Sequence, residues 1–596
     1  MGKRRPLRVD AVLDIEAESW DRFVIGGLKT RETFRSYNAS REKNLVDAVL
    51  DVDGDVWCHY GGRYDSLWFL EQIAKRGIRA KVTIAGARVL CVEVGGTFVR
   101  DSWAICPISL KSSAAISGVK KEATGLPCIC PGLSSCGGYC SISSSMDPKL
   151  LAKLAGYLEH DCDATWELVE RIIGYCDENE IELRSTIGAS AWATASKMCG
   201  IGPADDFTRR EYKFLREGYF GGRVQVFRPR AAHGRRYDIN SAYPASLINT
   251  SLPTGDREWL ESCDARDAYW SGREGILNAT VEVPESFVPP LPVRADDRTA
   301  YPFGRFNGTW TALELRYAEE HGAQIEEIFD GVFWSDSAPL LRRFCEWGWD
   351  LRASEGPKSG MGQWLKLLLN SLTGKFAQRP QVETVLINPS EIKDCPGEGS
   401  CRDECDGMCG AMYPIGDSDR IYTKKHYRFA PSGHIHFSAY LTADTRTRQL
   451  HSQWISTGDG SDLVYGDTDS CFTTTERGGV GKDIGEWDDE GSFFDFHALA
   501  PKTYHYFDED GVIHAASKGI PDPSRNWDRI VDGESIEVTR GVLGFKSAAR
   551  KGSLFQRKHE SRAVRADGRQ FGDRILRSDG LTYPQDVRFF RNARKA

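Results

Sequence analysis

Two aspartates separated by one residue, Asp467 and Asp469, are the first candidates for chemistry in this sequence. Short apolar, aromatic and β-branched runs flank them at 463–465 and 471–475, which predicts two strands joined by a tight turn at Gly466 and Asp467. Two carboxylates held at a hairpin tip repel each other unless a divalent cation lies between them. The pair therefore predicts a metal site, and a solvated surface turn is the alternative for these residues alone.

A further acid, Asp238, ends a predicted strand and is followed closely by Ser241 and Tyr243. Those two residues open a helix or turn whose first peptide N–H groups are free to hold phosphate oxygens. The flat ring of Tyr243 could stack under a sugar and exclude a 2′-hydroxyl group there. The segment thus predicts a nucleotide site that selects deoxynucleotides.

Residues 362–376 are predicted to form a helix with one apolar stripe, which consists of Leu365, Leu369, Leu372 and Phe376. Lys366, Asn370 and Thr373 share the adjacent face at helical spacing. Such a face offers a cation and an amide to a triphosphate. An amphipathic surface helix without a ligand is the alternative.

Four acids in the first 190 residues are candidates for a second metal site: Asp14, Glu16, Asp65 and Asp161. Asp14 and Glu16 point to one face of a predicted strand, because strand side chains alternate. Asp161 falls on the buried stripe of a helix predicted between Pro148 and Ile173, one turn after Tyr157, where a carboxylate is costly unless it is paired. The set predicts a two-metal site that activates water against a phosphodiester; scattered surface acids are the alternative.

Two further segments have residues suited to gripping a nucleic-acid strand. Gly221 and Gly222 follow Tyr219 and permit close approach of the strand to the backbone, although a plain turn explains them equally well. Lys502 and Tyr504 are predicted to lie on one face of a strand that begins at Pro501.

Eight of the seventeen cysteines fall in two clusters: Cys128, Cys130, Cys136 and Cys140, and Cys395, Cys401, Cys405 and Cys409. In a reducing compartment such clusters more often hold metal than disulfides. Neither spacing is a clean pair of CxxC motifs. Zinc is therefore the first interpretation, followed by free thiols and then an iron–sulfur cluster.

Composition restricts the class of protein. The 596 residues are too many for one hydrophobic core, and 40% hydrophobic content excludes a disordered or fibrous chain. Because no apolar run approaches the ~18 residues of a membrane span, we expect a cytoplasmic protein, in the host cytoplasm if it is viral. The net charge is −8, yet residues 541–596 contain fourteen Lys or Arg and five acids, a local excess that suits a phosphate backbone; a solvated charged face is the alternative.

The order and separation of these motifs resemble a family B DNA polymerase, in particular the protein-primed subgroup of phages and linear plasmids. Residues 465–470 resemble motif C, 238–244 motif A and 366–374 motif B. The run 502–504 resembles the primer-gripping motif, and Tyr219 with Gly221 and Gly222 resembles the motif that links the exonuclease and polymerase regions. The three exonuclease motifs have counterparts in Asp14 with Glu16, Tyr64 with Asp65, and Tyr157 with Asp161. The segment Asp101-Ser102-Trp103 resembles the strand-contacting Ser-Leu motif, with Trp in place of Leu.

The resemblance implies a DNA-templated DNA polymerase with 3′–5′ proofreading, which would replicate a viral or linear genome by protein priming and strand displacement. The expected partners are primer-template DNA, deoxynucleoside triphosphates and a terminal protein primer, with no membrane. Asp238 and Asp469 would hold two Mg²⁺ or Mn²⁺ ions with Asp467 beside them, and Asp14, Glu16 and Asp161 would hold the exonuclease metals. The nucleotide would meet Ser241, Tyr243, Lys366 and Asn370, and the DNA would meet Tyr219, Gly221, Gly222, Lys502, Tyr504 and Ser102.

The implied fold is a mixed α/β multidomain one, with an RNase H-like exonuclease domain followed by a right-hand palm, fingers and thumb. The predicted boundaries are 1–190 for the exonuclease domain with its Cys-rich loop, 191–255 for the start of the palm, 256–345 for a first insertion of the protein-primed type, 346–380 for the fingers, 381–430 for a second insertion with its Cys cluster, 431–525 for the rest of the palm and 526–596 for a basic thumb.

Several positions depart from the family pattern. Thr373 stands where motif B has Tyr, Ala242 replaces a Leu of motif A, and the exonuclease motif near residue 60 has Tyr60 or Gly61 in place of Asn. These changes put fidelity and proofreading in doubt. The alternative functions are a nuclease, or a nucleic-acid-binding protein without polymerase activity.

Overall fold

The computed structural model describes residues 5–18, 22–85, 88–122, 124, 126, 141–143, 145–204, 207–295, 298–379, 381–388, 410–415, 419–427, 432–540, 554, 558–564 and 570–590. Three large sheets, of ten, seven and four strands, and three small sheets of two or three strands organise this part of the chain. None of its helices is long and apolar enough to cross a membrane.

A ten-stranded sheet contains most of the N-terminal strands. In spatial order its strands are β17 (Gly410–Ile415), β18 (Asp419–Tyr427), β16 (Gln381–Ile387), β5 (Ala80–Ala85), β6 (Arg88–Val94), β7 (Thr97–Asp101), β4 (Asp55–Cys58), β1 (Ala11–Glu18), β2 (Arg22–Thr30) and β3 (Phe34–Asn38). Strands β16–β18 lie within the predicted second insertion, and β16 pairs antiparallel with β5. The insertion thus extends the N-terminal sheet.

A seven-stranded sheet brings distant parts of the chain together. Its order is β23 (Ile513–Ser517), β22 (Thr503–Phe507), β21 (Trp487–Ala500), β9 (Arg230–Ile239), β20 (Ser470–Thr473), β19 (Leu463–Asp467) and β8 (Val224–Val226). Strand β9 lies between β21 and β20, so the strand that ends near Asp238 is a direct neighbour of the aspartate hairpin.

The smaller sheets belong to residues 252–338 and to the C-terminal part. A four-stranded antiparallel sheet has the order β10 (Leu252–Glu261), β15 (Gln324–Ala338), β11 (Gly275–Val283) and β14 (Gly304–Thr311). The remaining strands are β12 (Val293–Ala295), β13 (Arg298–Ala300), β24 (Ile536–Arg540), β25 (Lys558–Arg562), β26 (Gln570–Phe571), β27 (Arg574–Leu576) and β28 (Thr582–Pro584).

The α-helices cover the sheets and fill the space between them. They are α1 (Glu42–Leu50), α2 (Asp65–Lys75), α3 (Leu110–Ser117), α4 (Pro148–Glu178), α5 (Ile187–Cys199), α6 (Arg209–Glu217), α7 (Ala242–Asn249), α8 (Ser262–Trp270), α9 (Ala312–Glu320), α10 (Arg342–Glu355), α11 (Gly360–Phe376), α12 (Ile435–Asp444), α13 (Ser452–Trp454) and α14 (Trp527–Val531). A π-helical stretch, Thr445–His451, follows α12.

The predicted helices over 148–173 and 362–376 are confirmed as α4 and α11. All four residues of the predicted α11 stripe are fully buried, and they belong to a large core that also contains residues of α4 and α5. Helix α4 starts at an N-cap, where the Asp147 carboxylate accepts from the backbone N–H groups of Lys149 and Leu150. Burial of these stripes fixes the polar residues on the adjacent helical faces.

The predicted position of the turn, at Gly466 and Asp467, was wrong by two residues. Both belong to β19, and the chain reverses at Thr468 and Asp469, with φ of Thr468 at 59°. Instead, the lack of a side chain at Gly466 lets the Trp454 ring pack against β19, because a Cβ there would lie 2.1 Å from Cζ2 of Trp454.

The predicted strand at 501–506 also needed correction. Strand β22 begins at Thr503, and Lys502 adopts left-handed backbone geometry with φ at 62° just before it. Lys502 and Tyr504 therefore do not share a regular strand face.

Candidate active sites

Asp238 and Asp469 meet where two neighbouring strands end. Ser470 on β20 pairs with Asp238 on β9, and the Ile239 N–H donates to the Asp469 carbonyl oxygen at 2.7 Å. Burial, followed by the charge of Asp469, raises the pKa of Asp238 to about 7. Burial and the charge of Asp467 also raise the pKa of Asp469. Two half-buried carboxylates that disfavour each other's charge form a centre suited to a cation.

Helix α11 supplies a positive charge to this centre. The Lys366 ammonium lowers the pKa of both aspartates, which partly offsets their burial. Asn370, one turn later, has a buried side-chain oxygen, and Thr373 a buried hydroxyl, neither with a hydrogen-bond partner in the described structure. Thr373 is 5% exposed. The three residues of the predicted polar face thus differ in how deeply they are buried, and Thr373 lies inside the protein.

Asp467 differs from Asp469 in its contacts. Its two carboxylate oxygens accept from the Lys502 ammonium, each at 2.8 Å. They also accept from the Tyr465 hydroxyl at 3.1 Å and the Thr468 hydroxyl at 3.0 Å. Protein donors thus surround this carboxylate, and its ion pair keeps the Lys502 ammonium beside the turn.

The segment with Tyr219, Gly221 and Gly222 packs on the aspartate turn. The Thr468 N–H donates to the Arg223 carbonyl oxygen at 2.7 Å, and a Cβ at Gly222 would lie 2.6 Å from the Thr468 hydroxyl oxygen. The space beside Gly222 is thus filled by Thr468, and the predicted contact of both glycines with a nucleic-acid strand stays a prediction. Gly221 is exposed, with open space where a Cβ would lie, and Tyr219 is half-buried.

Helix α7 begins beside the same centre. Ser241 is its N-cap, with φ at 57° and no capping hydrogen bond from its side chain. Tyr243 lies in the first turn, half-buried, and burial followed by the charge of Asp469 raises its pKa. The structure therefore places both predicted nucleotide-site residues near Asp469.

The Tyr504 side chain packs against other aromatic rings of the sheet. Its ring packs 4.6 Å from the ring of Tyr465, measured between centroids, and stacks on Phe496. Burial raises its pKa to about 12. Tyr504 thus supports the hairpin that carries the aspartates.

The N-terminal acids form a second centre. Asp14 and Glu16 lie on β1 with their side chains on the side opposite to the buried Leu13 and Ile15, as alternation predicted. Asp65 begins α2, and its carboxylate accepts from the Ile15 N–H at 3.0 Å. Burial raises the pKa of Glu16 to about 8 and that of Asp65 to about 7. Burial and then the charges of Asp65, Asp161 and Glu16 raise the pKa of Asp14.

Helix α4 closes this centre with Tyr157 and Asp161, which are 3% and 4% exposed. Lys121 donates to the Tyr157 hydroxyl at 2.5 Å and forms an ion pair with Asp161. Nothing in the sequence around Lys121 pointed to this role, because one lysine in a charged segment has no periodic pattern. The signal for this role would have been one lysine that lies close to a cluster of acids.

Both centres fit divalent cations by their donor chemistry. One oxygen of Asp14 and one of Asp161 are buried without a hydrogen-bond partner among the described residues, and carboxylate oxygens are the ligands that Mg²⁺ and Mn²⁺ prefer. No three His, Cys, Asp or Glu side chains in the described ranges form a ready metal cage.

Ser102 does not face solvent in this structure, and its predicted strand contact stays a prediction. It is fully buried; its hydroxyl donates to the Cys58 carbonyl oxygen at 3.1 Å and lies 2.9 Å from Nδ1 of His59. The eight clustered cysteines, Cys128, Cys130, Cys136, Cys140, Cys395, Cys401, Cys405 and Cys409, lie outside the described residues, so their predicted zinc binding stays a prediction.

Comparison with known proteins adds independent information. A family model described as "DNA polymerase type B, organellar and viral" matches residues 143–411. A protein of Enterobacteria phage PRD1 named "DNA-directed DNA polymerase" is 25% identical over 476 residues, which cover 78% of this chain and 75% of that protein. A "Probable DNA polymerase" of Neurospora intermedia is 23% identical over 391 residues, 57% of this chain but only 38% of its own length.

The fold has a counterpart among solved structures. A ternary complex of phi29 DNA polymerase with primer-template DNA and incoming nucleotides superposes with a TM-score of 0.70, covering 94% of this chain and 99% of that one, at 15% identity. This agreement confirms the predicted mixed α/β multidomain fold. The chain therefore resembles type B DNA polymerases of organelles and viruses in sequence over residues 143–411, and it shares the fold of phi29 DNA polymerase.

Proposed function

We propose that the chain is a DNA-templated DNA polymerase with a separate 3′–5′ exonuclease, and that it replicates a viral or linear genome by protein priming and strand displacement. The observation that carries this proposal is the presence of two distinct carboxylate centres. One joins Asp238 and Asp469 beside the Lys366 charge on the seven-stranded sheet. The other lies on the ten-stranded sheet and helix α4.

Asp238 and Asp469 would hold two divalent ions, Mg²⁺ or Mn²⁺, at the synthesis site. When bound, such ions lower the pKa of a primer 3′-hydroxyl and stabilise charge on the leaving pyrophosphate. Lys366 and Asn370 would contact the triphosphate from α11, and the peptide N–H groups that follow Ser241 would add donors. Tyr243 would lie against the sugar, where its ring leaves no room for a 2′-hydroxyl group.

Lys502 would hold the primer end, and Asp467 would orient it. The bidentate ion pair fixes the ammonium beside the aspartate turn, and the Lys502 N–H donates to the Tyr465 hydroxyl at 3.2 Å. Exposed Gly221, with half-buried Tyr219 next to it, would lie along the DNA.

The second centre would hydrolyse the 3′-terminal phosphodiester of a single strand. Asp14, Glu16 and Asp161 would hold the metals, and Asp65 would keep β1 in place through its bond to the Ile15 N–H. Tyr157 would orient the attacking water through its hydroxyl, which Lys121 fixes by donating to it.

The partners proposed from this function are primer-template DNA, deoxynucleoside triphosphates and a terminal protein. The first two are supported by the phi29 complexes, whose descriptions name primer-template DNA and incoming nucleotides. The proposed division of labour follows the predicted boundaries, with the exonuclease in 1–190, the palm in 191–255 and 431–525, the fingers in 346–380, and a thumb in 526–596. The segments 256–345 and 381–430 would be the two insertions.

The proposal is tested with a 5′-labelled primer on a longer template. With Mg²⁺ and four deoxynucleotides the label should move to longer products, and without nucleotides it should move to shorter ones. Shortening alone would leave a nuclease and refute the polymerase. Protein priming needs its own assay, in which a labelled deoxynucleotide becomes covalently attached to a candidate terminal protein.

A further inference from the structure

Arg223 has a buried charge directly behind the turn that carries Asp469. Its carbonyl oxygen accepts from the Thr468 N–H at 2.7 Å, and the residue is 1% exposed. Burial lowers the pKa of its guanidinium to about 10, so the group is still charged at neutral pH. A buried charge needs fixed hydrogen-bond partners. The partners of this guanidinium therefore help to decide where the backbone of Arg223, and with it the turn, is held.

Gln225 is a hydrogen-bond partner of that guanidinium. Its side-chain oxygen accepts from Nε of Arg223 at 2.9 Å and from Nη2 at 2.7 Å. Gln225 lies on β8, where it pairs with Gly466 of the strand that leads into the turn. Its amide nitrogen donates to the Asp573 carboxylate at 2.8 Å. A chain of hydrogen bonds thus runs from the turn to a residue 348 positions after Gln225 in the sequence.

Asp573 lies in the small sheet of β26, β27 and β28, which we call the C-terminal sheet. The carboxylate oxygen that accepts from the glutamine also accepts from the Tyr301 N–H at 2.8 Å, and Asp573 is 5% exposed. The Tyr301 ring covers the guanidinium, with 3.8 Å from its centroid to Cζ of Arg223. On β28, the Thr582 N–H donates to the Phe227 carbonyl oxygen at 2.8 Å. The C-terminal sheet is therefore fixed to the chain just after β8.

We propose that Asp573 is a positioning residue for DNA synthesis, which holds the aspartate turn in place through Gln225 and Arg223. This inference rests on the proposed synthesis activity. A buried donor that loses its acceptor costs more than the bond itself, so the Gln225 amide must turn toward another acceptor when the carboxylate is removed. The Arg223 guanidinium then loses its fixed partner. As a result the Thr468 N–H bond opens more often, and Asp469 is held less firmly.

Hydrogen exchange, measured by mass spectrometry on peptides that span residues 463–473, reports the turn without any need for enzymatic activity. In full-length Asp573→Leu protein the turn should exchange about 5- to 150-fold faster than in the wild type. Asp573→Asn keeps an oxygen that can accept from Gln225 and from the Tyr301 N–H, so it should keep the wild-type rate. Equal exchange in Asp573→Leu and the wild type overturns the proposal, and so does equally fast exchange in both variants.

Primer extension and single-strand hydrolysis are measured on the same proteins. Asp573→Leu should lower kcat for extension by about 10- to 100-fold, because a misplaced reacting group loses rate steeply. It should leave hydrolysis unchanged, since that centre lies on the ten-stranded sheet, and Asp573→Asn should restore extension. Asp586→Leu is the matched control, because Asp586 is also buried, at 9% exposure, but bonds to Arg588. Loss of extension in Asp586→Leu as large as in Asp573→Leu overturns the positioning role.

Gln225→Leu is the second variant, for the case that Asp573→Leu does not fold. It removes the middle of the chain of bonds and keeps the bond between Asp573 and the Tyr301 N–H, so the C-terminal sheet stays docked. It should show the same faster exchange and slower extension, and wild-type values of both overturn the proposal. Wild-type protein that extends no primer refutes the proposed polymerase, whereas unchanged exchange at the turn refutes only the positioning role.

Discussion

Adding one methyl group at Gly222 should disable DNA synthesis through the turn that carries Asp469. In Gly222→Ala the new Cβ would fall 2.6 Å from the Thr468 hydroxyl oxygen, 2.8 Å from its methyl carbon and 3.1 Å from its Cβ. Rotation of the Thr468 side chain would break the bond that its hydroxyl donates to the Asp467 carboxylate at 3.0 Å, and the Thr468 backbone is held by its N–H bond to the Arg223 carbonyl oxygen. The turn itself must therefore shift.

The size of the effect follows from these contacts. Two of the three distances are below 3.0 Å, so Thr468 has to move by several tenths of an ångström or more, and Asp469 moves with it. Overpacking of this kind costs about 1–3 kcal/mol of stability. A reacting group misplaced by about 1 Å loses roughly 10²-fold in rate. We therefore expect kcat for primer extension to fall by about 10²-fold.

Gly221→Ala is the matched control, because a Cβ at Gly221 meets no atom within 4 Å. Single-turnover primer extension and single-strand hydrolysis are measured for both variants. Gly222→Ala should lose extension, keep hydrolysis and melt at a lower temperature, whereas Gly221→Ala should melt like the wild type, so that a loss of extension in it reports contact with DNA and not packing on the turn. Normal extension by Gly222→Ala, or an equal fall in Tm in the two variants, would refute packing on the turn as the reason for the second glycine.

Three other predictions concern charge. Glu16 binds more protons in the folded than in the unfolded protein between its ordinary pKa of 4.5 and its folded pKa of about 8, so the stability of the metal-free protein falls as pH rises through that window. Glu16→Gln should flatten the fall in Tm from pH 5 to pH 9. Parallel slopes of Tm against pH for the variant and the wild type would contradict this. Asp467→Asn should reduce extension by about tenfold at most, because Lys502 already occupies the carboxylate, and complete loss would show a metal ligand instead. Glu314→Gln breaks a buried ion pair with Arg446 and should cost about 3–5 kcal/mol, seen as a lower Tm, whereas Glu314→Leu with Arg446→Met should melt higher than Glu314→Gln.

Local patterns predicted the long elements and the separate acids. Period-two alternation placed Asp14 and Glu16 on one face of a strand, and helical periodicity placed Asp161 on the buried stripe of α4. These predictions succeeded because burial of one face decides the orientation of every side chain in a regular element. The meeting of Asp238 with Asp469 needed sheet order, which was available only through the family resemblance.

The sequence-based predictions were wrong where the backbone geometry is irregular. Left-handed conformations at Thr468 and Lys502 moved the hairpin turn and the start of a strand, although neither residue type favours such geometry. The partner of Asp467 was equally hidden, because Lys502 is 35 residues away in sequence. Tertiary hydrogen bonds impose these conformations, and no local pattern records them.

Glycines were hard to interpret for a related reason. Gly222 and Gly466 looked like flexible or nucleic-acid-facing positions, but each lacks space for a Cβ because a protein side chain, Thr468 or Trp454, occupies it. The sequence shows that a side chain is absent without showing what fills the space. Ser102 is the converse case, since a polar residue in a strand-contacting motif turned out to be buried and satisfied by protein.

The central claim is that synthesis and degradation occur at two separate carboxylate centres. One labelled primer-template, incubated with and without deoxynucleotides, reports both reactions for Asp469→Ala and for the double variant Asp14→Ala, Asp161→Ala. The account predicts that Asp469→Ala shortens the primer and never extends it, whereas the double variant extends it and never shortens it. Loss of both reactions in a folded Asp469→Ala protein would contradict two independent centres.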